Sequence, residues 1–129
     1  MKKLIAAVIL LTATAAFGQN DVEVKEKMNR IERTEVTGGI EFIQGRLGKL
    51  PEGRITVAAQ AFLEGKRDLL RATADETFEP IGEFSDELGQ THVRLQQRLR
   101  GLPVFGAEYI VHADRDSNVF AMNGRFTPG

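Results

Sequence analysis

Two histidines, His92 and His112, are the side chains of this 129-residue chain best suited to proton transfer or metal ligation. They fall in separate extended segments and could approach each other across a hairpin, where two imidazoles are able to hold a metal. No carboxylate motif accompanies them and no H-E-x-x-H occurs, so they are assigned as surface or half-buried sheet residues. Asp114-x-Asp116-x-Asn118 opens like a calcium loop, but Val119 stands where the glycine belongs and Arg125 where the bidentate glutamate belongs. It is expected to be a hairpin turn. Glu64 and Asp68, one helical turn apart, are assigned to a solvated face rather than to acid–base work. Ser85 and Ser117 are the only serines, and neither sits in a nucleophile elbow. No glycine-rich segment follows a strand and opens a helix to cradle phosphate. No catalytic, cofactor-binding or metal residue is therefore expected. What remains is a row of cations, Arg94, Arg98 and Arg100, which is either a solvated sheet face or a docking face for an acidic partner.

The elements that must position these residues are legible from periodicity. Thr91–Phe126 reads as three consecutive strands joined by two turns. In the first, Val93, Leu95 and Leu99 point one way with Gln97 as the odd member, and His92, Arg94, Gln96, Arg98 and Arg100 point the other. Gly101-Leu102-Pro103 is expected to turn the chain. Val104–Asp114 follows as a central strand with Phe105, Ala107, Tyr109, Val111 and Ala113 on one face. After the Asp114–Asn118 turn, Val119–Phe126 carries Phe120, Met122 and Phe126 on one face. Upstream, Ile55–Arg71 has apolar residues Ile55, Ala58, Ala59, Phe62, Leu69 and Leu70 in one arc, which predicts one long amphipathic helix. Gly65 weakens that helix by about 1 kcal/mol and falls on the expected buried side, as a close approach to a sheet would require. Ile40–Leu47 reads as a short edge strand. Phe78–Glu87 reads as another, with Phe78 and Phe84 as anchors and Pro80 favouring an edge. The expected fold class is α+β: one long helix across a meandering antiparallel sheet.

Composition narrows the role. A formal net charge of −1 removes the electrostatic case for nucleic acid, and the absence of cysteine excludes disulfides and Cys-based zinc sites. Met1-Lys2-Lys3, the apolar run Leu4–Phe17 and the small residues around Ala16 and Gly18 have the layout of a secretory signal peptide, assigned to residues 1–18. The run is shorter than the roughly 20 residues a bilayer requires, so no stable membrane anchor is expected, and the location is periplasmic or extracellular. Without Lys2 and Lys3, fifteen basic side chains face eighteen acidic ones. Residues 19–37 form a polar leader, expected to be mobile or a frayed helix, and residues 38–129 form the domain.

Glu87-Leu88-Gly89-Gln90-Thr91-His92-Val93-Arg94-Leu95-Gln96-Gln97, followed by Gly101-Leu102-Pro103-Val104-Phe105-Gly106-Ala107-Glu108, resembles the fungalysin/thermolysin propeptide (FTP) domain. Tyr109–Asp114 and Asn123-Gly124-Arg125-Phe126 are similar to it too, and the resemblance covers about Gly38–Pro128. It implies the first domain of the prosegment of a secreted thermolysin-like zinc metalloprotease. Such a domain has no catalytic residues; it helps the protease domain fold and keeps it silent. Zinc would belong to the protease domain. Members of the family usually continue into a PepSY-type domain and then the catalytic domain, whereas the sequence stops at Gly129, so the partner is a protease domain met in trans, or in cis within a longer chain. The competing reading is a stand-alone exported binding module whose first candidate surface is Arg94, Arg98 and Arg100.

Overall fold

Alternation along Thr91–Leu99 buries Val93, Leu95 and Gln97 on one face and sends His92, Arg94 and Gln96 to the other. That strand sets the two faces of the whole sheet. Residues 28–33 and 39–127 are described in the computed structural model. The order is β1 (Met28–Arg33), β2 (Ile40–Lys49), α1 (Ile55–Glu64), α2 (Arg67–Leu70), β3 (Glu76–Ser85), β4 (Thr91–Leu99), β5 (Leu102–Ala113) and β6 (Asn118–Gly124). All pairings are antiparallel, and the strands lie side by side as β1-β2-β6-β5-β4-β3. The expected signal peptide, most of the leader and Pro128-Gly129 lie outside the described residues.

The expectation of an α+β fold built on one long helix is corrected. The domain is mainly antiparallel sheet with two short helices on one face. The helix breaks at Gly65, whose N–H still reaches Ala61 O at 3.0 Å, while Lys66 N bonds Leu63 O in a tighter turn. Gly65 is exposed, not pressed against the sheet. Arg71 adopts a left-handed conformation (φ 62°) and ends α2 as Ala72 N bonds Arg67 O. The apolar arc survives the break, since Ala58, Ala59, Phe62, Leu63 and Leu70 are buried and Ile55 and Leu69 pack beside them. Gln60 and Arg67 lean over β3, where they donate to Phe78 O and Glu76 O at 2.8 and 2.7 Å.

Two placements in the sheet also change. Ile40–Lys49 is not an edge, because Met28–Arg33 pairs outside it; part of the expected leader is thus strand. β3 is an edge and β5 is internal, as read. The turn after β4 is Arg100-Gly101, both left-handed (φ 50° and 83°), with Leu99 opposite Leu102. That is the two-residue hairpin geometry whose twist suits paired strands. Leu102 and Pro103 therefore belong to β5.

Bulges decide which side chains reach the core. Ile81 is an extra residue in β3, so Phe78 lies opposite buried Gln97 while Phe84 lies opposite His92 on the other face. In β6 an irregularity at Phe120 puts Val119 and Met122 in the core and turns Phe120 towards His112. Phe120 and Met122 do not share a face, contrary to the alternation.

Buried Gln97 acts as a piece of backbone. Its Nε2 donates to Thr127 O at 2.7 Å and its Oε1 accepts from Thr127 N at 2.9 Å, so the segment after β6 docks as though onto a further strand. Gln97→Leu keeps the volume and removes both bonds. We expect a loss of about 1–3 kcal/mol by urea unfolding and faster hydrogen exchange at the Thr127 amide.

Candidate functional site

The sheet has a covered face under the helices and an open face, and the residues with chemistry gather on the open one. Cross-strand register aligns Phe84, His92, His112 and Ala121 in one row across β3, β4, β5 and β6. Within it His92 Nδ1 lies 2.6 Å from His112 Nδ1. The outer nitrogens are tied as well: His92 Nε2 to Asp86 Oδ2 at 2.8 Å, and His112 Nε2 to Asn123 Oδ1. Phe84 stacks on His92 at 4.6 Å between ring centres, and Phe120 sits 6.0 Å from His112, so both rings are half-buried.

The two histidines do meet across a hairpin. They meet as hydrogen-bond partners, since two ligands on one tetrahedral zinc ion, each at 2.0–2.1 Å, would stand about 3.3 Å apart. Among the described residues no group of three His, Asp or Glu side chains is arranged to hold a metal. The carboxylate that sequence reasoning found lacking is Asp86, brought back to His92 by the turn between β3 and β4. The signal was its position six residues before His92, at the start of a turn.

That turn has a twin. Asp86 Oδ1 accepts from Leu88 N and Gln90 N, and Asp114 Oδ1 accepts from Asp116 N and Asn118 N. The fourth residue of each is left-handed: Gly89 at φ 78° and Ser117 at φ 65°. The hydrogen bond with His92, then the Gln90 and Leu88 amides, hold Asp86 below the ordinary carboxylate pKa of 3.8. The Asn118 amide does the same for Asp114. Asp114-x-Asp116-x-Asn118 is thus a hairpin turn whose first carboxylate is spent on backbone amides. Arg115 ties the twins together, donating through Nε to Leu88 O at 2.9 Å.

The arginine row is dispersed into local pairs. Arg94 lies 3.5 Å from Glu108 and Arg100 lies 3.4 Å from Asp75, while Arg98 pairs with Glu79 and donates to Gly101 O. Arg94 and Arg98 share the open face, and Arg100 stands apart in the hairpin turn. Glu64 pairs with Arg67, and Asp68 belongs to the second helix, so those carboxylates do not converge. Ser85 Oγ is near Thr91 Oγ1, and Ser117 lies in a turn.

One feature of this end of the sheet was missed. Between the Arg98–Pro103 and Gln96–Glu108 pairs, β5 carries four residues, Val104–Ala107, against the single Gln97 of β4. Gln96 fastens the excess, its Nε2 donating to Val104 O at 2.8 Å and Ala107 O at 3.0 Å. Gly106 supplies a left-handed φ of 73°. Phe105 is thereby held fully exposed, and Leu102 at the start of the same strand is 71% exposed. Strict alternation had put Phe105 on the same face as Ala107, Tyr109, Val111 and Ala113, of which it is the exposed member.

Residues 76–126 match the family model of the fungalysin/thermolysin propeptide motif. The chain is 39% identical over 59 residues to thermolysin from Alicyclobacillus acidocaldarius subsp. acidocaldarius, covering 46% of this chain and 11% of that protein. It is 30% identical over 67 residues to bacillolysin from Bacillus amyloliquefaciens, covering 52% and 13%. With bacillolysin from Brevibacillus brevis it shares 34% identity over 71 residues, covering 53% and 14%. The matched region spans only 11–14% of the length of these relatives.

Proposed function

Residues 76–126 carry a fungalysin/thermolysin propeptide motif, and from that premise we propose that the chain is the N-terminal prosegment domain of a secreted thermolysin-like metalloprotease. In this reading it has no catalysis of its own. It assists folding of the protease domain and holds that domain inactive. The observation that carries the proposal is the extent of the match, which runs from the first residue of β3 to Phe126 and so takes in the whole β3–β6 meander.

Physical reasons support the role. Secreted proteases that persist by slow unfolding, rather than by large equilibrium stability, benefit from a domain that lowers the folding barrier. Within one chain such a domain acts at an effective concentration on the order of millimolar, so modest affinity is enough. Export through the signal-like residues 1–18 would bring folding and activation outside the cytoplasm. Among the described residues no helix is long and apolar enough to cross a membrane.

Docking requires an anchor, and the stapled bulge offers one. Phe105 and Leu102 are large, apolar and exposed, and Arg94, Arg98 and Arg100 would exchange Glu108, Glu79 and Asp75 for acidic groups of the protease domain. Aromatic anchors held in place by their own backbone contribute most of the energy of such contacts.

The test adds the protein to a mature thermolysin-type protease and, separately, to the same enzyme during refolding. Inhibition and a higher refolding yield are expected. Phe105→Ala should weaken inhibition about thirty-fold, on the order of 2 kcal/mol, with the thermal midpoint unchanged. Arg100→Glu should chiefly slow association and reduce its salt dependence. No effect on activity or yield across several such proteases would sink the proposal and favour the stand-alone binding module.

A further inference from the structure

The chain Asp86–His92–His112–Asn123 crosses three strands and a turn, and its protons can be counted. Asp86 is held ionised, so its oxygen accepts and His92 Nε2 carries the hydrogen of that 2.8 Å bond. With Oδ1 of Asn123 facing it, His112 Nε2 also carries a hydrogen. Both Nδ1 lone pairs then face each other across 2.6 Å, an arrangement that needs a single proton between them. Turning the Asn123 amide over makes His112 Nε2 an acceptor and puts hydrogen on His112 Nδ1, which joins the rings with both neutral. The network thus has a neutral state and a singly protonated state that keep the same ring positions. A second added proton puts N–H groups on both sides of a 2.6 Å gap, and the rings must part.

We propose that His92 and His112 form a clasp that accepts one proton but not two, so that acidification drives the two rings apart across the β4–β5 pair on the open face. The proposal stands independently of the propeptide reading.

The surroundings leave the second proton without compensation. Asp86, the one carboxylate in contact with the pair, already serves His92. Arg94 and Glu108, the next charged groups within β4 and β5, pair with each other, and Asp114, two residues past His112, is engaged by the Asp116 and Asn118 amides. From β3 the neighbour is Phe84, from β6 Phe120, Ala121 and Asn123, and from β2 the next residue in the row is Gln44, all uncharged. The helices lie on the other face. Burial first, then the charge of His92, hold the His112 pKa below its ordinary 6.5, although the Asn123 bond pulls it upward. The folded protein therefore binds that proton less readily than the unfolded chain. The stability concerned is complete above pH about 6.5 and is lost as the pH falls below it. Asp86 contributes loss only below 3.8, a separate window.

The experiment follows the ring nitrogens of the ¹⁵N-histidine-labelled protein between about pH 4.5 and pH 8. Two separated titration steps are expected, with a through-hydrogen-bond Nδ1–Nδ1 coupling that vanishes at the lower step. Two rings that titrate together near 6.5 without coupling would overturn the clasp. In parallel, the thermal midpoint should fall by about 4–8 °C across the lower step. His92→Gln and His112→Gln should each lose less than half as much. If both keep the full acid loss, the clasp is not its origin. A variant that fails to fold leaves the spectra of the unaltered protein to decide.

Discussion

Gly124→Ala should be the most damaging single methyl group in the domain, with a loss on the order of 4 kcal/mol and a fall in thermal midpoint of about 20 °C. A Cβ at this position would stand 1.9 Å from Glu108 O and 2.7 Å from Tyr109 Cα, both fixed parts of the neighbouring strand. The backbone φ of 152° adds strain for any L side chain. The site is crowded because it is a crossing point. Tyr109 pairs with Gly124 and reaches beyond it to donate its hydroxyl to Ile40 O on β2, while Arg125 N bonds Glu108 O at 2.8 Å. Burial raises the Tyr109 pKa and keeps the hydroxyl a donor. Urea unfolding measures the effect, with Gly82→Ala as control because nothing lies within 4 Å of its added Cβ. Similar midpoints for the two variants would refute the crowding argument.

The second large effect is expected at Phe78, where truncation to alanine should cost about 3–5 kcal/mol. Its ring is buried on the covered face, 6.0 Å from that of Phe126. The space left behind cannot close easily, since Gln60 fixes the Phe78 carbonyl and Gln97 fixes the residue after Phe126. Phe84→Ala, six residues along the same strand, should cost less than about 1 kcal/mol because that ring is 63% exposed. Since such a domain has only about 5–15 kcal/mol in total, the first variant approaches unfolding and the second does not.

The contrast between these two phenylalanines shows what the sequence could tell. Both were read as anchors of one strand, and residues six apart should share a face. The extra residue Ile81 reverses the alternation between them. A bulge leaves no mark in a period-two pattern, and the same ambiguity misplaced Phe105 and Phe120. β4 itself carries no extra residue, and there alternation placed Val93, Leu95 and His92 correctly, and even Gln97 was visible as the polar intruder. The helix was read too long because Leu69 and Leu70 continue its period beyond Gly65, and a glycine costs only about 1 kcal/mol in that balance. The sequence allowed a hairpin contact between the histidines but favoured separate surface or half-buried sheet positions. Their hydrogen-bond partners were not legible, because Asp86 and Asn123 arrive through a turn and a neighbouring strand that only the register brings together.

β3 is the last strand on its side of the sheet, the place where unpaired backbone would recruit a strand from another molecule. Gln60 and Arg67 already occupy the carbonyls of Phe78 and Glu76, and Pro80 has no N–H to offer. Beyond them the chain kinks at Ile81, with the carboxylates of Glu79 and Glu83 on either side. These are the devices that stop a sheet from lengthening. The helical layer thus does more than cover a core: among the described residues it seals this border against fibril-like growth.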